Sequence, residues 1–255
     1  MRKLTSIAPV VIAIAALASC GKSAPDTLTY QIISTRPHDS TAYTQGLQLV
    51  DGRLFESSGQ YGESALREIN PADGKVLRKR PLAKNVFGEG LTVLGKEMFV
   101  LTWKEHTAYV FDLETFKPLH TFTYKGEGWG LTNDGKQLIM SDGTSELRFI
   151  NPKDFTVTHT LAVKDGNSSV KELNELEMID GQIFANIYQS DKIARISPET
   201  GQVTGWLDLK GLKNQLTPKG QADVLNGIAW DSSTGHLLVT GKYWSQMFEI
   251  KISKK

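Results

Sequence analysis

Gln45-Gly46-Leu47 is the first copy of a short pattern that occurs five times along this chain of 255 residues. Each copy places a polar or aromatic residue before a small residue and an aliphatic one, except that Glu175 stands where the small residue is expected. The later copies are Glu89-Gly90-Leu91, Trp129-Gly130-Leu131, Asn174-Glu175-Leu176 and Asn226-Gly227-Ile228. Their first residues follow one another at intervals of 44, 40, 45 and 52 residues. Spacing of this size indicates a repeat architecture.

Each copy is followed by a turn signal and by apolar runs that alternate as β-strands do. The turn signals are Asp51-Gly52, Gly95-Lys96, Asp134-Gly135, Asp180-Gly181 and Thr234-Gly235. Four short strands in about 40 to 50 residues describe one blade of a β-propeller. We therefore predict an all-β, five-bladed β-propeller over residues 27–255, with one short helix near Leu212 to Leu216. A pair of sandwiches built from ten strands is the alternative.

The last repeat is one strand short, and the start of the chain supplies a spare one. After Met247 to Ile252 the sequence stops without a fourth strand, whereas Thr27 to Ser34 reads as a strand before the first repeat. We expect this N-terminal strand to pair with the last blade, which closes the ring and protects a sheet edge. A ring closed in this way needs no partner, so we expect a monomer.

The first 20 residues have the pattern of an export signal. Arg2 and Lys3 precede an apolar stretch, Ile7 to Ala18, that is too short to span a membrane comfortably. Leu17-Ala18-Ser19-Cys20 resembles the bacterial lipobox, which predicts a signal peptide over 1–19 and a lipidated Cys20 with a tether over 20–26. The protein is then exported and held at a membrane of the bacterial envelope, facing the periplasm (the outer membrane if the host is Gram-negative). A secretory signal with an incidental cysteine is the alternative.

Composition excludes several classes of function. A net charge of +1 offers no electrostatic basis for nucleic-acid binding. A single cysteine excludes an internal disulfide and a cysteine-based zinc cluster. The five histidines show no HExxH spacing, so no histidine-bound catalytic metal is expected, and nucleotide-binding and serine-hydrolase motifs are missing.

The repeat pattern places one side chain from each blade at one mouth of the central channel. These five residues are Gln45, Glu89, Trp129, Asn174 and Asn226. The second strand returns to the same rim 14 residues later, or 16 in the last blade, at Gly59, Trp103, Gly143, Tyr188 and Lys242. Any one of these residues could serve blade packing, but the whole set predicts a ligand pocket. Glu89 between tryptophans would be partly desolvated, which raises its pKa toward the range useful for proton transfer.

Longer motifs surround the repeat pattern and the rim residues. They are Tyr43-Thr44-Gln45-Gly46-Leu47, Phe87-Gly88-Glu89-Gly90-Leu91-Thr92, Leu101-Thr102-Trp103-Lys104, Gly128-Trp129-Gly130-Leu131, Leu173-Asn174-Glu175-Leu176-Glu177, Leu225-Asn226-Gly227-Ile228-Ala229 and Thr240-Gly241-Lys242-Tyr243-Trp244. In order and spacing they resemble the plant and bacterial type of glutaminyl-peptide cyclotransferase, from about Thr29 to Ile250. The resemblance implies a five-bladed propeller that converts the N-terminal glutamine of peptides or proteins into pyroglutamate and releases ammonia.

The resemblance also implies a role for each matching residue. Glu89 matches the catalytic acid/base, and Asn174 or Lys242 is expected to stabilise the oxyanion. The substrate-binding residues are then Gln45, Trp103, Trp129, Tyr188 and Asn226, with Tyr188 standing where a third tryptophan is expected. No cofactor and no zinc are implied, although a structural calcium in the central channel is possible by analogy with the family.

Two other functions stay open at this point. One is a non-catalytic propeller that binds a ligand or serves as a scaffold, which would release no ammonia. The other is a metal-dependent, lactonase-like propeller in which Glu89, Asn174 and Asn226 would surround an ion.

Overall fold

A computed structural model describes residues 24–255, so the predicted signal segment and Cys20 lie outside the described part of the chain. The regular structure of this part is nearly all β-strand. In chain order the strands are β1 (Asp26–Pro37), β2 (Thr44–Val50), β3 (Arg53–Ser58), β4 (Ala65–Ile69), β5 (Val76–Pro81), β6 (Gly88–Leu94), β7 (Glu97–Thr102), β8 (Thr107–Asp112), β9 (Pro118–Thr123), β10 (Leu131–Asn133), β11 (Leu138–Met140), β12 (Glu146–Ile150), β13 (Val157–Ala162), β14 (Lys164–Asp165), β15 (Ser168–Ser169), β16 (Leu173–Ile179), β17 (Gln182–Ile187), β18 (Lys192–Ile196), β19 (Val203–Asp208), β20 (Leu225–Asp231), β21 (His236–Gly241) and β22 (Gln246–Lys254). A 3-10 helix, Leu212–Gln215, lies between β19 and β20, where the short helix was predicted. Within residues 24–255, no helix is long and apolar enough to cross a membrane.

The strands form three four-stranded sheets, one eight-stranded sheet and one small hairpin. Strands β2 to β5, β6 to β9 and β10 to β13 each make an antiparallel sheet in chain order. The eight-stranded sheet has the order β16-β17-β18-β19-β1-β22-β21-β20, and β14 pairs with β15. Within each sheet, chain-order neighbours pair because short connections join them, and the predicted turn signals lie between the first and second strand of each group.

The N-terminal strand pairs with the last strand of the chain, as predicted. Strand β1 runs antiparallel to β22, from Leu28 opposite Lys254 to Pro37 opposite Gln246. It is longer than the predicted strand and also pairs in parallel with β19 through Asp26 to Leu28. Because β1 contacts both neighbours, the last two groups of strands merge into one sheet.

The first strands of the successive groups meet in a closed cycle. Strand β2 contacts β6, β6 contacts β10, β10 contacts β16, β16 contacts β20, and β20 contacts β2. The backbones approach so closely that a Cβ atom on Gly130 would lie 1.9 Å from the carbonyl oxygen of Asn174. A Cβ atom on Gly46 or Gly90 would lie 2.5 Å from a backbone nitrogen of the next strand, so glycine is required there.

Hydrogen bonds cross every junction in this cycle. The five bonds run from Ser57 Oγ to Glu89 O, Gly90 N to Trp129 O, Ser141 Oγ to Asn174 O, Gly227 N to Asn186 Oδ1 and Asn226 Nδ2 to Thr44 O. Each bond joins the repeat motif of one group to the next group, so the motifs are held at a common level.

The apolar core lies between neighbouring sheets rather than at the centre of the molecule. Phe55 and Leu66 of the first sheet pack against Leu91 and Met98 of the second, and all four are fully buried or nearly so. Similar clusters fill the other junctions. This packing follows from the alternating strands, whose apolar faces must be covered by the adjacent sheet.

A buried histidine ties the end of β1 to β3 and to the segment that carries Lys242. The ring of His38 makes a hydrogen bond of 2.8 Å from Nδ1 to Trp244 O and an ion pair of 2.9 Å from Nε2 to Glu56 Oε1, with both side chains of the pair inaccessible to solvent. Burial works against a charged imidazole, but the Glu56 carboxylate outweighs it and leaves the pKa of His38 raised. Burial also works against the Glu56 carboxylate, but His38, Arg67 and Thr44 together outweigh it and leave the pKa of Glu56 lowered.

We expect His38→Ala to lower the free energy of unfolding by up to about 3–5 kcal/mol, because it removes the nearest cationic partner of the buried Glu56 carboxylate and leaves only the Arg67 guanidinium at 3.6 Å and the Thr44 hydroxyl. Urea unfolding measures this change. The stabilisation by the His38–Glu56 pair should also fade as pH rises through the raised pKa of His38 and as pH falls through the lowered pKa of Glu56.

Lys75→Ala is the control for this prediction, because its pair with Asp73 is largely exposed. We expect its unfolding midpoint to match that of the unaltered protein. Equal midpoints for His38→Ala and Lys75→Ala would contradict the role assigned to the buried pair.

Candidate active site

A cavity of about 190 Å³ opens at the end of the inner strands where the repeat motifs lie. Its walls combine aromatic rings with a small number of polar groups. The lining residues are Tyr43, Gln45, Gln60, Phe87, Glu89, Trp103, Trp129, Asn174, Tyr188 and Lys242. An apolar pocket with a few convergent polar groups is the usual form of a small-molecule site.

Irregular strand pairing turns the polar side chains into this cavity. The register shifts at the repeat motif in β2, β6 and β16, and Gln45, Glu89 and Asn174 fall within the irregular step. A β-bulge leaves its extra residue out of the ladder and re-aims the side chain. The crowded cycle of inner strands and the polar pocket therefore arise from the same short motif.

Glu89 is the buried carboxyl group of the pocket. Its Oε1 accepts a 2.8 Å hydrogen bond from Gln45 Nε2, and Gln45 Oε1 in turn accepts one of 3.1 Å from Asn226 Nδ2. Burial raises the pKa of Glu89 well above its usual range, the Lys242 ammonium opposes this rise, and the Glu127 and Glu105 carboxylates add to it. A carboxyl group with a raised pKa can both accept and return a proton near neutral pH.

Lys242 is the buried cation of the same pocket. Its Nζ lies 4.5 Å from the ring centre of Tyr43 and 5.0 Å from that of Tyr188, so both rings offer it cation–π contacts. Burial lowers the pKa of Lys242, while the charges of Glu89 and Asp223 work in the opposite direction. The ammonium group is thus poised to interact with negative charge that develops in the cavity.

The aromatic side chains that form the cavity walls contact one another and pack closely against two glycines. Trp103 meets Phe87 edge to face at 5.5 Å, and Trp129 meets Tyr188 in the same way at 5.5 Å. A Cβ atom on Gly143 would lie 2.7 Å from the Trp129 ring. The other glycine is Gly59, where a Cβ atom would lie 2.4 Å from the Phe87 ring. The two rim glycines of the repeat pattern thus leave room for the aromatic walls.

The structure brings together seven of the eight residues predicted for catalysis and substrate binding. Gln45, Glu89, Trp103, Trp129, Asn174, Tyr188 and Lys242 all line the cavity. Asn226 does not line the cavity: it is fully buried beside it and donates to Thr44 O and Gln45 Oε1, so its part in substrate binding stays a prediction. At Asn226 the side chain turns toward β2 and holds Gln45 in place.

Sequence reasoning did not assign Tyr43, Phe87 or Gln60 to the pocket, although all three line it. Tyr43 and Phe87 stand two residues before Gln45 and Glu89, and residues two apart in an extended chain point to the same side. That spacing could have identified both. Gln60 lies in a loop with φ of 92°, and no periodic signal marks it.

Two further carboxyl groups are buried where the inner strands meet. The carboxylate of Glu175 accepts the N–H groups of Leu47 and Ile228, and Glu177 accepts that of Trp230. Burial raises the pKa of Glu175 well above its usual range and that of Glu177 to about 8. In residues 24–255, no group of three or more His, Cys, Asp or Glu side chains is arranged to hold a metal. The structural calcium stays a prediction, and no step below uses it.

Comparisons with known proteins point to one family. The family model of glutamine cyclotransferase matches residues 5–252. A glutaminyl-peptide cyclotransferase of Arabidopsis thaliana is 42% identical over 228 residues, which are 88% of this chain and 71% of that protein. The crystal structure of Myxococcus xanthus glutaminyl cyclase superposes with a TM-score of 0.85 at 33% identity, covering 91% of this chain and 99% of that one.

A more distant likeness concerns the fold alone. The WD40 β-propeller domain of Doa1 superposes with a TM-score of 0.50 at 12% identity, covering 80% of this chain and 62% of that one. The fold and the pocket together define a propeller-like protein with a carboxyl group buried between aromatic walls. The chain belongs to the glutamine cyclotransferase family.

We expect Glu105→Gln to lower the pKa of Glu89, because it removes a negative charge that raises that pKa. Lys242→Met should raise the pKa of Glu89 further, since it removes the opposing cation. Titration of ¹³C-labelled glutamate carboxyl groups by NMR measures both shifts. Glu97→Gln, on the β6–β7 hairpin, is the control and should leave the titration unchanged. A Glu89 pKa that does not fall in Glu105→Gln would contradict this account of the pocket charges.

Proposed function

We propose that this protein is a glutaminyl-peptide cyclotransferase, which converts the N-terminal glutamine of peptides or proteins into pyroglutamate and releases ammonia. The observation that carries the proposal is Glu89, a buried carboxyl group with a raised pKa that is held by Gln45 inside an aromatic pocket. Membership of the glutamine cyclotransferase family supports the same reaction.

The pocket suits a glutamine side chain folded back on its own amine. A cavity of about 190 Å³ with Trp103, Trp129 and Tyr188 among its walls holds one residue and leaves the rest of the peptide outside. Because the α-amine and the carboxamide that it attacks belong to the same residue, the main task of the enzyme is to hold that residue in the ring-closing conformation. Such positioning can account for a large part of the rate.

The proposed reaction needs one group that takes up and returns a proton. The neutral α-amine attacks Cδ of its own side chain, so that an N–Cδ bond forms and the carboxamide oxygen becomes negative. Glu89 takes a proton from the amine and gives it to the leaving nitrogen, and the C–N bond of the carboxamide breaks to release ammonia. Asn174 or Lys242 would stabilise the oxyanion.

We expect Glu89→Gln to reduce the rate of ammonia release from a peptide with N-terminal glutamine by about 10²- to 10⁴-fold, because the proton shuttle is lost. A coupled ammonia assay measures the rate, with Glu97→Gln as a matched control that should keep full activity. The same peptide with an acetylated N-terminus should release no ammonia, since its nitrogen cannot attack.

The ammonia assay also tests the rival functions. Tight binding of the peptide without ammonia release would favour a non-catalytic propeller. Loss of ammonia release on adding a chelator would favour a metal-dependent enzyme, although Asn226 does not face the cavity that such an ion would share with Glu89 and Asn174.

The arrangement of strands supports a five-bladed propeller. Three four-stranded sheets account for three blades, and the eight-stranded sheet divides at β1 into β16 to β19 and β20-β21-β22-β1. In this interpretation β1 is the outer strand of the fifth blade. The closed cycle of β2, β6, β10, β16 and β20 then forms the wall of the central channel.

We also propose that the propeller is tethered to a membrane of the bacterial envelope through a lipid on Cys20. The pattern before Cys20 supports this proposal. We expect the full chain, expressed in bacteria, to incorporate radiolabelled palmitate and to sediment with membranes, and Cys20→Ala to do neither. Palmitate incorporation by Cys20→Ala, or a soluble unaltered protein, would contradict the tether.

A further inference from the structure

Two pocket walls that come from different segments of the chain share one hydrogen-bond acceptor. Trp103 follows β7, and Trp129 precedes β10. The indole nitrogen of each donates to the same atom, Glu127 Oε2, at 2.7 Å for Trp103 and 3.0 Å for Trp129. Glu127 therefore links the two tryptophans without lining the cavity itself.

The shared acceptor fixes the angle between the two rings. An indole has one polar atom, its N–H donor, so one hydrogen bond selects its rotation about the side-chain axis. A carboxylate acceptor makes each bond stronger than a neutral one. The other edges of the walls meet Phe87 and Tyr188, and Glu127 completes the connection between Trp103 and Trp129.

Lys104 supports Glu127 from the outside. Its Nζ lies 3.8 Å from Glu127 Oε1 and 3.8 Å from the ring centre of Trp103. Both side chains of the ion pair are partly exposed, so water screens it and the two indole hydrogen bonds are the stronger constraint.

The place of Glu127 in its repeat matches that of Tyr43 and Phe87, two residues before the motif, where the chain faces the pocket.

We propose that Glu127 is a positioning residue for the cyclisation, which sets the two tryptophan walls at the separation that holds the substrate side chain in its ring-closing conformation. This inference rests on the proposed function. Because a small displacement of a positioning group lowers the rate of a ring closure more than it lowers binding, Glu127 should act on kcat more than on KM.

Two conservative variants separate the effect of the length of the Glu127 side chain from the effect of its charge. Glu127→Gln keeps an acceptor oxygen at the same distance from the backbone but removes the charge, whereas Glu127→Asp keeps the charge and is one methylene too short to meet both indoles. We expect Glu127→Asp and Glu127→Ala to lower kcat about 10- to 100-fold with less than a threefold change in KM. Because Glu127→Gln also removes a charge that raises the pKa of Glu89, each variant is compared at its own optimal pH, where Glu127→Gln should retain kcat within about threefold of the unaltered enzyme.

The experiment measures kcat and KM for ammonia release from a peptide with N-terminal glutamine, with the fold checked by circular dichroism. If Glu127→Ala does not fold, the Gln and Asp variants decide the matter. Unchanged kinetics in Glu127→Asp would overturn the proposal, and so would a Glu127→Gln as slow as Glu127→Asp. A failure of the proposed function is distinct, because the unaltered protein would then release no ammonia.

Discussion

The close approach of five inner strands is the constraint on which the rest of this structure depends. No side chain fits between them at Gly46, Gly90 or Gly130, and hydrogen bonds cross each junction of the cycle. The strands must therefore meet at one level, which is the level of the repeat motif. The apolar clusters between neighbouring sheets stabilise the arrangement, but the contacts at the axis set its register.

The same crowding builds the pocket. Where the motif departs from regular pairing in β2, β6 and β16, Gln45, Glu89 and Asn174 leave the ladder and face the cavity, whereas Asn226 in the similar step of β20 turns toward β2. The backbone oxygens of Glu89 and Asn174 also accept two of the hydrogen bonds that hold the cycle together. The same inner strands therefore form the cycle and carry the polar groups of the pocket. A substitution that moves these strands apart should also displace those polar groups.

Burial then gives the pocket its chemistry. Desolvation raises the pKa of Glu89 and lowers that of Lys242, so it drives both toward their neutral forms, while their mutual attraction favours the charged forms. Shifted pKa values of this kind are frequent among groups that exchange protons in active sites. The Glu105 and Glu127 carboxylates shift this balance for Glu89 from the edge of the pocket.

The sequence alone determined the all-β fold, the repeats, closure by the N-terminal strand and most of the pocket, because strand alternation and the glycine motif act locally. Only the tertiary structure showed that Asn226 holds Gln45, that β1 joins two groups of strands, and that Glu127 bridges Trp103 and Trp129. Each of these depends on where a side chain or strand edge meets a distant segment. Periodicity specifies which face a residue occupies, but the partner across a junction is decided by packing in three dimensions.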